Sequence, residues 1–308
     1  MVMKKPLECL VIMPVGPRSK IEYVRDTLSS FFHYFDCQGS LLLVLDDTRS
    51  EKLRDSLLNY PRTVIVNAQS LLTDGSRNHN TRGLLFVKQI LALRLLSSEY
   101  EWKTLLRLDD DALIIGPNPH FDALEIFGRE PDVGMLGAYL RRGDGQDKRP
   151  SLRRQGRRLL KRLISRDIIR YPAMVRTLAM LVIKAKLKGY KLGDMCTGGA
   201  LFLSREAYDC IETVCGREIY NLRHSDLADD LLLALCNAAA GYKMKDFSDR
   251  DDVMAINWRG LPMPLDELVR RQKKLLHPVK DPKNQDHEKM VRRYFEKIRR
   301  ESVSDANQ

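Results

Sequence analysis

The sequence predicts an α/β protein: a Rossmann-like, mostly parallel sheet with helices on both faces and a basic helical insertion. Three observations carry this. Short apolar runs alternate with stretches of helical periodicity through residues 7–108. The runs show no hydrophobic–polar alternation, which is the signature of strands buried on both faces. Three of them, 7–13, 41–45 and 103–108, end in Pro and Gly or in aspartates, the punctuation of strands running into ligand-side loops.

Taken in order, residues 7–13 form the first strand and Pro14-Val15-Gly16 closes it. Ile21, Val24, Leu28, Phe31, Phe32 and Phe35 share one side of a helix over 21–35, stopped at Gly39. Residues 41–45 are the second strand, ending in Asp46 and Asp47. A short helix is expected over 51–58, a third strand over 63–66 and a long amphipathic helix over 83–96. Residues 103–108 form the fourth strand, which ends in Asp109, Asp110 and Asp111. Beyond it, 113–115 is apolar, a helix is expected over 121–127 after Pro119, and a strand over 133–140. A turn at Cys196-Thr197-Gly198-Gly199 opens another strand. Helices over 205–214 and 227–240 follow, the second stopped by Gly241. A charged helix over 287–300 precedes a polar tail that is expected to fray.

The 308 residues are 44% hydrophobic, enough to bury one large core, and the composition excludes collagen, wholesale disorder and a disulfide mini-scaffold. The net charge of +11 is unevenly placed. Residues 141–191 hold 17 basic and 3 acidic side chains, whereas the other 257 residues hold 35 and 38. A near-neutral body therefore carries one basic segment. The six cysteines form no CxxC and no zinc-type spacing, so they read as reduced and mostly buried thiols. The N-terminal apolar run is interrupted by Glu8 and lacks a cleavage signature, and no stretch approaches the ~18–20 apolar residues that span a bilayer. The expected location is cytoplasmic, with the cytosolic face of a membrane as the peripheral option.

The chemistry concentrates at residues 105–116, LLRLDDDALIIG. Ligands of parallel α/β sheets collect beyond the carboxyl ends of strands, and three adjacent carboxylates repel one another unless a cation joins them. In extended chain Asp109 and Asp111 project to one side and Asp110 to the other. That leaves two hard oxygen donors for Mg²⁺ or Mn²⁺; a solvated acidic turn or a helix cap is the plainer alternative.

A strand, then Asp-Asp-Asp, then a second apolar run resembles the Asp-x-Asp motif of GT-A glycosyltransferases, and more loosely their β-1,3-galactosyltransferase and fringe branch. The resemblance spans residues 7–280, the basic segment excepted. It implies a GT-A type fold, a nucleotide-sugar donor (a UDP-sugar) and a Mn²⁺ or Mg²⁺ ion at Asp109 and Asp111. Gly198 and Gly199 match the glycine loop between donor and acceptor. In Asp226-Leu-Ala-Asp229-Asp230, Asp230 matches the general base of inverting members, with Asp229 its nearest rival; helix capping is the bland reading of both. His277 matches the histidine that completes the metal shell, and Lys280 is placed to reach phosphates. Pro14, Gly16, Asp46 and Asp47 fall where base and ribose are seated, with Arg77, Arg82 and Lys88 as cations around the next helix. Trp258 either stacks on a sugar or anchors the core.

The implied division is a nucleotide-sugar-binding half with the Asp-x-Asp motif (1–140), the basic helical insertion (141–191), an acceptor and catalytic half of the same domain (192–280) and a charged C-terminal helix and tail (281–308). The basic pairs Arg153-Arg154, Arg157-Arg158 and Lys161-Arg162 recur at helical spacing. This is the pattern of a helix attracted to anionic lipid, and it suits a glycan or lipid-linked acceptor; a merely solvated insertion is equally open. Nucleic acid is disfavoured, since Tyr171 is the only aromatic before Tyr190 in the segment. Two other function classes remain: a nucleotidyltransferase, for which PVGPRSK is a thin phosphate-loop match, and a non-catalytic membrane- or anion-binding protein.

Overall fold

The computed structural model describes residues 4–35, 38–48, 55, 60–72, 81–280 and 285–306. The candidate Arg77, and all of the helix expected over 51–58 except residue 55, lie outside them. The strands are, in chain order, β1 (Lys5–Val15), β2 (Ser40–Asp46), β3 (Thr63–Asn67), β4 (Tyr100–Leu108), β5 (Leu113–Ile114), β6 (Val133–Gly137), β7 (Ala200–Ser204), β8 (Lys243–Asp246), β9 (Met254–Ile256) and β10 (Leu275–His277). Seven of them form one sheet in the order β3-β2-β1-β4-β7-β6-β8. Four pairings are parallel, and β7 runs antiparallel to both neighbours, so the sheet is mostly parallel as the sequence predicts.

The helices are α1 (Ile21–Tyr34), α2 (Arg82–Glu99), α3 (Pro119–Arg129), α4 (Arg149–Leu163), α5 (Asp167–Arg170), α6 (Pro172–Leu187), α7 (Arg205–Cys215), α8 (Asp229–Ala240), α9 (Leu265–Arg270) and α10 (Gln285–Ala306), with a 3₁₀ helix at Gly216–His224. One face of the sheet packs against α2, α7 and α8, through Phe86, Tyr208 and Leu231 among others, and α6 packs outside them on α8 and the 3₁₀ helix, with Leu178 in the same apolar cluster. The opposite face packs against α1 and α3 through Leu28, Phe31 and Phe127. Gly241 ends α8 in the left-handed region (φ +102°), where a side chain would be strained.

Three expectations change on contact with the structure. Helix α2 is not amphipathic: Leu84, Phe86, Val87, Gln89, Ile90 and Leu93 are buried around it, because it packs against the sheet, the 3₁₀ helix and α8 at once. The strand expected over 133–140 stops at Gly137. There the N–H groups of Tyr139, Leu140 and Arg141 all donate to Asp246 Oδ1 at 2.8–2.9 Å, and one carboxylate turns the chain out of the sheet. Finally, a second sheet, β5-β10-β9, was too short in sequence to show periodicity. It packs with Val291 and Phe295 of α10 in a third apolar cluster, and it brings β10 against β7 and His277 to the aspartates that follow β4.

Residues 149–187 fold as three helices between β6 and β7. The ends of this excursion are tied by the buried Lys148, whose Nζ donates to the carbonyls of Ala138 before it and Met195 after it. Burial pulls the Lys148 pKa down to about 8. Among the described residues no helix is long and apolar enough to cross a membrane.

Candidate active site

The last four residues of β4, 105–108, are buried and apolar except for Arg107, which lies just before the three aspartates. The Asp109 N–H donates to Gly199 O at 2.7 Å, joining the acid turn to the glycine turn. The Val279 N–H donates to Asp111 O at 3.0 Å, holding the end of β10 against the same turn. These contacts bring Asp109, Asp111 and His277 together, with one donor atom from each inside 4.8 Å.

His277 Nε2 lies 3.4 Å from Asp111 Oδ1 and 3.8 Å from Asp109 Oδ2. Its Nδ1 lies 3.1 Å from Asn257 O, a partner that accepts a proton only. With a proton held on Nδ1, it is Nε2 that faces the two carboxylates. Against the effect of burial, their charges raise the His277 pKa and favour a proton on Nε2, which a cation would replace by taking up the lone pair. Two carboxylate oxygens and one imidazole nitrogen are a donor set that fits Mn²⁺ or Mg²⁺. The local electrostatics agree. Burial raises the Asp109 pKa, with Asp111 adding to it. Burial also acts on Asp111, but the hydrogen bond and charge of His277, with Lys280, hold it well below the usual carboxylate range. Lys280 Nζ is 2.6 Å from Asp111 Oδ2.

Asp110 turns the other way. It accepts from the Ser19 hydroxyl, and burial together with its two neighbouring acids pushes its pKa up to about 6. It borders a cavity of about 700 Å³ beyond the carboxyl ends of β1, β2 and β4. Pro14, Gly16, Asp47, Arg82, Lys88 and Lys280 also line that cavity. Lys88 is almost fully buried and its Nζ sits 3.1 Å from Asp47 Oδ2, so it faces inward rather than lying on an exposed helix face. Asp46 is a correction: buried, with Oδ1 accepting from the Thr48 N–H (2.8 Å) and hydroxyl (2.6 Å), it caps its own turn and does not line the cavity.

The acid pair opens α8. Asp229 Oδ2 accepts from Arg107 Nη2 at 2.8 Å and from Gln89 Nε2 at 3.1 Å. Arg107 Nη1 lies 2.8 Å from Asp109 Oδ1 as a charge contact, so one buried guanidinium links the metal-type cluster to the acid pair. Asp230 is left to the backbone: Oδ2 accepts from the Gly198 N–H and Oδ1 from the Leu231 N–H, both at 2.8 Å. Burial and the Asp229 charge push the Asp230 pKa up to about 6. Asp226 is paired with Arg162 and does not cap α8.

Arg107, Gln89 and Ser19 were missed in sequence. Arg107 was the legible one, since an arginine between the leucines that end a buried strand must meet buried acids. Trp258 is 63% exposed with Arg259 over its ring, which removes the core-anchor alternative and leaves the indole accessible.

Gly199 has φ +107°, and a Cβ there would lie 2.2 Å from His277 Nδ1. Gly199→Ala therefore has to displace the imidazole as well as strain the backbone. The expected result is a loss of about 2–4 kcal/mol in urea unfolding, accompanied by weakened Mn²⁺ binding. Unchanged stability and metal affinity would show that His277 is not held there by the glycine.

No model of a known protein family matches the sequence, and no curated protein matches it. Among solved structures, the chain is similar to the mannosyltransferase PcManGT from Pyrobaculum calidifontis in complex with GDP-Man and Mn²⁺. The identity is 14%, the match covers 82% of this chain and 58% of that one, and the TM-score is 0.44. It is also similar to S. aureus TarS 1-349 (19% identity, 42% of this chain and 35% of that one, TM-score 0.31). The same portion in complex with UDP-GlcNAc matches at 17% identity, 42% and 34% coverage and TM-score 0.31. At such overlap the likeness carries no argument about activity, which rests on the site itself.

Proposed function

We propose that this chain is a divalent-metal-dependent, GT-A type glycosyltransferase. It would move a sugar from a nucleotide sugar, a UDP-sugar by the resemblance of its motifs, to a hydroxyl of a glycan or lipid-linked acceptor, with inversion at the anomeric carbon. The observation that carries the proposal is the Asp109–Asp111–His277 cluster at the rim of the cavity, joined through Arg107 to the Asp229–Asp230 pair.

In this reading Asp109, Asp111 and His277 hold Mn²⁺ or Mg²⁺, which when bound neutralises charge on the departing nucleoside diphosphate. Pro14, Gly16 and Asp47 seat base and ribose, while Arg82, Lys88 and Lys280 face the phosphates. Asp230 takes the acceptor hydroxyl's proton as the new bond to the anomeric carbon forms and the bond to the diphosphate oxygen breaks; the electron pair leaves with the diphosphate. A carboxylate with a pKa of about 6 is well matched to that task near neutral pH. Asp229, held by Arg107 and Gln89, is a positioning residue, and Gly198 fixes Asp230 through its N–H.

Incubation with UDP- and GDP-sugars in the presence of Mn²⁺ tests the reaction class. Release of the nucleoside diphosphate is expected. Release of pyrophosphate instead would make the reaction nucleotidyl transfer and overturn the proposal.

A further inference from the structure

The turn between α4 and α6 presents aliphatic side chains to solvent. Ile164 is 80% exposed and Ile169 is 87% exposed, with Leu160 and Ile168 about half exposed beside them in sequence. Leu160 and Ile164 are four residues apart and share a helix face. Around them Arg157, Arg158, Lys161, Arg166 and Arg170 are also exposed. The buried side of α4 is satisfied separately, by Leu152 and Leu159, so the outer aliphatics are not a core face turned the wrong way.

This apex is held in place. Arg162 reaches both Asp167, at 2.6 Å, and Asp226, and the Tyr171 ring stacks on His224 at 4.5 Å. The isoleucines are therefore fixed outward. Soluble proteins seldom leave such a patch in water without a use for it. Aliphatic side chains ringed by arginine and lysine match an interface that is apolar inside and negative at its surface. A nucleic acid would use the cations and leave the isoleucines unexplained.

We propose that the α4–α5 apex docks the protein on an anionic lipid bilayer, with Leu160, Ile164, Ile168 and Ile169 entering the headgroup–acyl boundary. The surrounding arginines and lysines then meet the lipid phosphates. A second cavity, of about 660 Å³, continues inward from this face. It is lined by Arg158, Lys161 and Arg162 and shares Thr81 and Arg82 with the donor cavity, so docking face and donor cavity adjoin along one side of the molecule. The docking proposal does not depend on the transferase reading.

The test is co-sedimentation of the full chain, at low salt, with phosphatidylcholine vesicles and with mixed phosphatidylcholine–phosphatidylglycerol vesicles. Binding to the mixed vesicles only is expected. Ile164→Glu/Ile169→Glu should weaken it roughly tenfold or more, since two buried aliphatics become two repelled charges. The control pair Ile183→Glu/Leu187→Glu alters exposed aliphatics (60% and 81%) near the far end of α6, a helix about 24 Å long, and should bind like the parent. No binding to the mixed vesicles, equal binding to both kinds, equal loss in both variant pairs, or full retention by the apex variant would each overturn the proposal. UDP binding measured on the same variants separates the two readings, because the apex pair is expected to leave it unchanged.

Discussion

Asp230→Asn lowers sugar transfer by about 10²–10⁴-fold, the usual contribution of a positioned base, while Mn²⁺-dependent nucleotide binding persists. Asparagine keeps the shape and cannot take a proton, but with a single oxygen it accepts from only one of the Gly198 and Leu231 N–H groups and sets its NH2 against the other. The parent rate should fall as pH drops through about 6, where burial and Asp229 place the Asp230 proton, and the variant should lose that limb. Stability moves in the opposite direction. The folded pKa of Asp230 lies above its ordinary value of 3.8, so its contribution favours the fold most at low pH and is lost as pH rises through about 6. At neutral pH the ionised carboxylate costs the fold up to about 3 kcal/mol. Asp230→Asn removes that charge but leaves one backbone N–H facing an NH2, at about 1–3 kcal/mol, so the net change in stability should stay within about 2 kcal/mol. A variant that loses activity together with more than about 3 kcal/mol of stability would assign Asp230 to structure rather than catalysis.

Arg107→Met destabilises the fold by about 3–5 kcal/mol, the cost of removing one partner from a buried charge network. The guanidinium is 4% exposed and faces Asp109 and Asp229, with Asp230 close by, and their charges raise its pKa against the opposing effect of burial. Methionine fills much of the volume but leaves these acids facing one another. Arg107→Lys should recover only part of the loss, because a single ammonium cannot serve Asp109 and Asp229 through two separate nitrogens. Denaturant unfolding at neutral pH measures both variants. A cost below about 1 kcal/mol for Arg107→Met would mean that the acids are neutralised in some other way.

The sheet and its flanking helices were legible where burial imposed a period. The runs at 7–13, 41–45 and 103–108 became β1, β2 and β4 because central parallel strands are apolar on both faces. What was illegible had no period to show. Strands β5, β8, β9 and β10 have two to four residues each, so their pairing depends on tertiary placement alone. The buried surroundings of α2 come from the 3₁₀ helix and α8 packed beside it, which no local pattern announces. Within the site, the grouping of Asp109 and Asp111 followed from their spacing, but the division of work between Asp229 and Asp230 did not. It is set by Arg107 and Gln89, which lie 122 and 140 residues away in sequence. Asp46 and Asp47, equivalent by sequence, are separated by a single turn at Thr48 that consumes one carboxylate and presents the other to the cavity.

The central claim is a divalent-cation site that creates a nucleotide site beside it. Calorimetric titration of UDP and GDP into the full chain, with and without Mn²⁺, tests it most directly, with Asp109→Ala/Asp111→Ala as the companion variant. The account predicts binding of one nucleoside diphosphate that requires Mn²⁺ in the parent and disappears in the folded variant. Binding that is indifferent to Mn²⁺, or that survives the loss of both carboxylates, would contradict it.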